Sequence, residues 1–148
     1  MSTSPNIFIV DDDMIYQFTA GKTIESIKCG ATISIFPNGE KAINFLAENV
    51  DNAKELPDII FLDINMPVMD GWQFLEAYNK LKQLFCKKII IYMVSSSSDR
   101  EDIEKSRDFF GVDDYIVKPI LRDRYKEIVD LFNFSGASQS LQSSLQHR

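Results

Sequence analysis

A chain of 148 residues is long enough for one domain with a proper core, and 45% hydrophobic and 26% charged residues are the proportions of an ordinary globular protein. Sixteen basic against 22 acidic side chains give a formal net charge of -6 with no basic run. That argues against nucleic acid as a direct partner, because phosphate neutralisation supplies most non-specific affinity. No apolar run approaches the roughly 20 residues of a membrane helix, and Met1 to Pro5 lacks the charged and apolar regions of a secretory signal. A cytoplasmic chain without a membrane partner is therefore expected. Cys29 and Cys86 form no CxxC pair and fit buried free thiols in a reducing compartment, with a disulfide between them as the alternative.

Ile7-Phe8-Ile9-Val10 is an uninterrupted apolar run that meets Asp11, Asp12 and Asp13, as a strand covered on both faces would on leaving its sheet. Met14 to Lys28 follows, with Ile15, Phe18, Ile24 and Ile27 at the spacing of a helix facing a sheet and Gly30 as its stop. Ala31 to Phe36 alternates like a half-covered or edge strand. Pro37-Asn38-Gly39 then turns the chain into a second helix, Glu40 to Asn49, with Ala42, Ile43, Phe45 and Leu46 inward. The run from Asp58 to Asp63 is the next buried strand, and it too ends on a carboxylate. Met66-Pro67 and Asp70-Gly71 mark an irregular loop beyond it. Taken alone, Asp63 reads as a loop residue or a helix cap; its meaning comes from its company.

Trp72 to Leu84 reads as a helix with Phe74, Leu75, Tyr78 and Leu81 on its apolar side. Lys88 to Val94 is a fourth buried strand. Ser95-Ser96-Ser97-Ser98 reads as a strand-to-helix loop, with Ser98 or Asp99 as the cap of a helix from Asp99 to Phe110 that Gly111 closes. A short fifth strand, Asp114 to Val117, ends at Lys118-Pro119, and a last helix spans Asp123 to Phe132. Residues 1–5 form a short extension, 6–134 the domain, and 135–148 a polar tail of low complexity that is expected to be disordered.

Strands alternating with helices in this way predict an α/β fold with a five-stranded parallel sheet and helices on both faces. Right-handed crossovers leave the flavodoxin-like (βα)5 order 2-1-3-4-5 as the natural topology, with ligands at the carboxyl edge near its switch point. That order makes the first and third strands neighbours, roughly 4.8 Å apart, so Asp11 and Asp12 meet Asp63. Ser95 and Lys118 fall on the same edge. Two carboxylates at 4 Å repel by about 4 kcal/mol at an effective dielectric near 20, so either their pKa values rise or a cation is recruited. Hard oxygen ligands suit Mg²⁺, which keeps several waters and often sits beside a phosphate. Such an ion would withdraw charge from a phosphoryl group that Asp63 attacks. Lys118 and the Ser95 hydroxyl could hold its oxygens.

Val10-Asp11-Asp12-Asp13, Leu62-Asp63-Ile64-Asn65-Met66-Pro67-Val68-Met69-Asp70-Gly71, Val94-Ser95-Ser96 and Tyr115-Ile116-Val117-Lys118-Pro119 resemble, in this order, the four motifs of response regulator receiver domains of two-component signalling. The resemblance covers about residues 6 to 132 and includes CheY, a bearer of the 2-1-3-4-5 order. It implies that Asp63 is the phosphoacceptor, charged by a histidine kinase or histidine phosphotransfer protein. It also implies that Asp11, Asp12, Asp63 and the Asn65 backbone carbonyl hold Mg²⁺ (or Mn²⁺). Asp13 matches no ligand position and is expected to cap a helix. Ser95 takes the Thr/Ser switch position, where Thr is commoner, Lys118 the lysine position and Tyr115 the aromatic switch position.

By the same resemblance the chain is a stand-alone phosphoacceptor and switch, not an enzyme, though one that assists its own Mg²⁺-dependent phosphorylation and dephosphorylation. Its output would be a protein contact through the fourth helix, fifth strand and fifth helix, with a phosphorylation-dependent dimer as a further implied partner. Two alternatives bear on this. A hydrolase of the haloacid-dehalogenase kind needs a second Asp two residues after the nucleophile, where this chain has Asn65, which cannot transfer a proton. A degenerate receiver that only binds would not need an intact acidic pair, Asp63 and Lys118. There is no ATP-binding motif, and the sole histidine is His147, so neither a kinase nor a histidine phosphotransfer domain is expected.

Overall fold

The computed structural model describes residues 4–97, 99–109 and 111–146, with side chains as far as Ser135. In chain order the elements are β1 (Asn6–Val10), α1 (Met14–Ser26), β2 (Thr32–Phe36), α2 (Gly39–Glu48), β3 (Ile59–Asp63), α3 (Gly71–Leu81) with a 3-10 turn at Lys82–Leu84, β4 (Ile90–Ser95), α4 (Arg100–Asp108), β5 (Val112–Val117) and α5 (Arg122–Gln146). The strands pair in parallel in the order β2-β1-β3-β4-β5, as expected. The fifth strand starts at Val112, two residues before its expected start, and α5 runs beyond Phe132. From residue 136 on, the expected disordered tail lies outside the residues whose side chains are described.

Period-two alternation in the central strands divides their side chains between two cores. Phe8, Val10, Ile60, Leu62, Ile91 and Met93 pack with Ala42, Ile43 and Leu46 of α2 and Phe74, Leu75 and Tyr78 of α3. Ile7, Ile9, Ile59, Phe61, Tyr92 and Val94 pack with Ala20 and Ile24 of α1 and Tyr125, Ile128 and Val129 of α5. Each fully buried aliphatic side chain contributes about 1.5–3 kcal/mol. α4 is held more weakly: Ser106 is its buried residue, and Lys105 lies over the Trp72 ring.

Side-chain carboxylates fix the sheet where the backbone ladder runs out. Asp58 accepts from the Asn6 backbone N–H at 2.8 Å and from Lys87 Nζ at 3.0 Å, tying β1 to the entry of β3. The register of β5 slips by one residue between Val112 and Asp114, and there Asp113 accepts the Ile91 backbone N–H at 2.9 Å. The carboxylate replaces the acceptor that the bulge removes.

Two expectations are corrected. Ile15 and Phe18 do not face the sheet: they are 77% and 65% exposed, and the buried stripe of α1 is Ala20 and Ile24. At about 100° per residue, Ile15 lies half a turn from Ile24, on the opposite side of the helix. The thiols are free but not buried, Cys29 being half-buried and Cys86 exposed in the loop after the 3-10 turn.

Gly71, the first residue of α3, fits because it has no Cβ: an added Cβ would lie 2.7 Å from the Asp63 carbonyl oxygen and 2.9 Å from Ile64 Cα. Both obstacles are backbone, so relief requires α3 to move. Gly71→Ala should cost roughly 1–3 kcal/mol by overpacking, read as a lower denaturation midpoint in urea with an unchanged slope.

Candidate functional site

The register pairs Val10 with Leu62, so the next residues out, Asp11 and Asp63, leave adjacent strands at the same edge. Asp11 is 1% exposed and Asp63 6%, whereas Asp12 faces solvent. One carboxylate oxygen from each of Asp11, Asp12 and Asp63 lies within 4.8 Å of the others. The loop is held from both ends: Asp11 Oδ1 accepts the Asp13 N–H at 2.9 Å, and Asp13 in turn caps α1 by accepting from Ile15 and Tyr16. The expected capping role of Asp13 is what the geometry gives. Gln17 Nε2 donates to the Asp11 carbonyl at 2.6 Å.

Lys118 reaches this edge from the end of β5. Its ammonium donates to Asp11 Oδ2 at 2.7 Å and lies 3.4 Å from Asp63 Oδ1, while its backbone N–H donates to the Ser95 carbonyl at 2.8 Å. Burial alone would lower its pKa, but the Asp11 and Asp63 carboxylates outweigh that and hold the ammonium above the usual lysine range. Burial and then the Asp11 charge push the Asp63 carboxyl up to about 6, against the pull of Lys118. One cation among three carboxylates leaves the pocket anionic. Hard oxygen donors, an exposed member to admit an ion and an uncompensated charge fit Mg²⁺ better than a soft metal.

Ser95 is buried at the end of β4, and its hydroxyl accepts the Ser97 N–H at 3.1 Å. The Tyr115 hydroxyl donates to the Ser97 carbonyl at 2.8 Å, and its half-buried ring packs against the α2–α3 core. Ser97 thus joins the two residues expected at switch positions. Asn65 lies exposed two residues beyond Asp63, at the start of a loop in which Val68 adopts a left-handed backbone (φ 70°), a conformation a β-branched residue rarely takes. That loop ends in a reciprocal cap: Asp70 accepts the Gln73 N–H and Gln73 Oε1 accepts the Asp70 N–H, both at 2.9 Å.

Asp11, Asp12, Asp63 and Lys118 thus come together, Ser95 ends the strand beside β3, Tyr115 is tied to Ser95 through Ser97, and Asn65 lies in the loop beyond Asp63. Sequence reasoning missed Tyr16, Gln17 and Ser97. For the first two a signal existed: helical side chains slant toward the N-terminus, so the residues one turn into α1 point back over the strand end. Ser97 acts through its backbone and left no such signal.

Fold and edge together define a CheY-like doubly wound domain. The chain belongs to the response regulator receiver domain family, whose model matches residues 7–130. A hybrid signal transduction histidine kinase L from Dictyostelium discoideum is 31% identical over 90% of this chain and 8% of its own length. The transcriptional regulatory protein PrrA from Mycobacterium tuberculosis is 31% identical over 80% of this chain and 46% of its own. The chain spans about half or less of the length of such curated relatives. A two-component response regulator from Cytophaga hutchinsonii superposes with a TM-score of 0.75 at 30% identity, covering 88% of this chain and 98% of that one. The chemotaxis protein CheY4 from Vibrio cholerae shares the fold with a TM-score of 0.70 at 21% identity, covering 88% and 99%. Among the described residues no helix is long and apolar enough to cross a membrane.

Proposed function

We propose that Asp63 accepts a phosphoryl group from a phosphohistidine on a histidine kinase or phosphotransfer protein, that Mg²⁺ (or Mn²⁺) is needed, and that the acyl phosphate alters protein binding. The observation that carries this reading is the cluster of Asp11, Asp12 and Asp63 with Lys118 Nζ 2.7 Å from Asp11 and 3.4 Å from Asp63. An Asp63 oxygen attacks phosphorus, the bond from phosphorus to the donor imidazole breaks, and its electron pair leaves on the nitrogen. Asp11, Asp12, Asp63 and the Asn65 carbonyl would hold the ion, which supplies charge withdrawal from the phosphoryl oxygens. Lys118 takes one of those oxygens and Ser95 donates to another.

A hydrolase reading fails on Asn65, which cannot act as general base to release Asp63. Stoichiometric labelling by acetyl phosphate, followed by slow loss, is the expected behaviour; rapid multiple turnover of varied phosphomonoesters would favour the hydrolase. The receiver unit is taken as residues 6–134, in the cytoplasm, with no nucleic acid contact of its own.

The output runs through the Ser95–Ser97–Tyr115 chain to α4, β5 and α5; between α4 and β5 a 290 Å³ groove lined by Ile103, Arg107, Val112, Asp114 and Val117 offers a protein contact or a dimer surface. Lys118→Ala should still accept some phosphate but lose phosphorylation-dependent binding, because the charge linking Asp63 to β5 is gone. Driving a two-state equilibrium from 1:99 to 99:1 takes about 5.5 kcal/mol of differential interaction, so one charge-assisted contact is a large share. A pull-down with phosphorylated and unphosphorylated bait reads this; equal phosphorylation-dependent capture by mutant and wild type would contradict it.

A further inference from the structure

We propose that Tyr16 is a positioning residue for Lys118, its ring forming the wall that keeps the ammonium at the phosphoacceptor when both carboxylate partners are taken. The inference rests on the reading of Asp63 given above. Lys118 Nζ lies 4.2 Å from the centre of the Tyr16 ring, within the range of a cation–π contact, and only 18% of the Lys118 side chain is exposed. Among the described residues, the ammonium's other charged partners are the carboxylates of Asp11 and Asp63. Both are the groups the chemistry claims: Asp63 becomes an acyl phosphate, and Asp11 belongs to the acidic cluster that suits a cation. A lysine held by those two alone would have to exchange both partners at the moment its charge is needed. The Tyr16 ring competes for neither metal nor phosphate, so it keeps the ammonium in place while its other contacts change.

The phenol end supports a role for the ring face and not for the hydroxyl. Tyr16 Oη is enclosed with the Tyr125 hydroxyl as its neighbour, and among the described residues it makes no hydrogen bond to Lys118, Asp11 or Asp63. The ring is fixed by its place in the first turn of α1, where Asp13 accepts the Tyr16 backbone N–H at 3.2 Å.

The test compares Tyr16→Phe, which restores the face, with Tyr16→Leu, which keeps apolar bulk without it; Tyr16→Met serves if the Leu variant does not fold. Acetyl phosphate with Mg²⁺ is the phosphodonor, and the label is followed by intact mass. Removing the face should slow labelling about five- to thirty-fold, and Phe should recover the wild-type rate within about twofold. The Lys118 Cε protons provide an independent signature: ring current should shift them upfield in wild type and Phe, and the shift should vanish in Leu or Met. Wild-type labelling rates in Leu or Met, or a Phe variant as slow as they are, would overturn the inference. So would an unchanged Lys118 resonance in Leu or Met. Wild-type protein that takes no label would overturn the phosphoacceptor reading instead, and the Lys118 resonances would still decide the role of Tyr16.

Discussion

Asp63→Asn should melt well above wild type in chelator at pH 7.5, with the advantage gone below about pH 4. The fold buries the Asp63 carboxyl beside Asp11, and burial first, then the neighbouring charge, lifts its pKa from an ordinary 3.8 to about 6. A carboxyl whose pKa is raised by folding favours the fold when protonated. That contribution is fully present below the unfolded pKa near 4 and is lost as pH rises through about 6. Above pH 7 the ionised group therefore opposes folding, and a gap of this size corresponds to about 2–3 kcal/mol at about 1.4 kcal/mol per tenfold in proton affinity. Asparagine keeps the shape and never ionises. Saturating Mg²⁺ should narrow the difference, because a bound cation favours the ionised wild-type carboxylate. Thermal melts across pH 4 to 8, with and without Mg²⁺, check this. A wild type that stays as stable as Asp63→Asn at pH 7.5 in chelator would show that Asp63 is not held in an anionic pocket.

The layout of that pocket was legible in the sequence because strand ends are. Apolar runs closed by Asp11, Asp63, Ser95 and Lys118 locate four side chains on one edge once the strand order is known, and parallel connections leave few orders to choose from. The capping of α1 by Asp13 followed from its residue type and place. What was not legible depended on helix phase and on backbone groups. Ile15 and Phe18 have helical spacing, but spacing does not say which side of α1 meets the sheet, and the capped turn after Asp13 sets it. That Lys118 Nζ lies closer to Asp11, at 2.7 Å, than to Asp63, at 3.4 Å, is a matter of side-chain geometry that no motif marks. The Ser97 link between Ser95 and Tyr115 uses main-chain atoms, which every residue has and no motif marks.

Labelling of Asp63 should be complete or nil according to the divalent cation. An incoming phosphate carries about -1.5 to -2 charge into a pocket where Asp11 and Asp63 are buried and, among the described residues, Lys118 is the single cation within 4 Å of them. Without an added ion the repulsion acts at low effective dielectric, where like charges near 4 Å cost about 4 kcal/mol, close to a thousandfold in rate. Asp12→Ala, which removes the solvent-facing member of the cluster, should raise the Mg²⁺ concentration needed without removing the acceptor. The most direct measurement is peptide mapping of the phosphoryl group after acetyl phosphate, in Mg²⁺ and in chelator, on wild type, Asp12→Ala and Asp63→Asn. The account predicts label on Asp63 alone in Mg²⁺, none in chelator and none in Asp63→Asn. Label on another residue, or equal labelling in chelator, would contradict it.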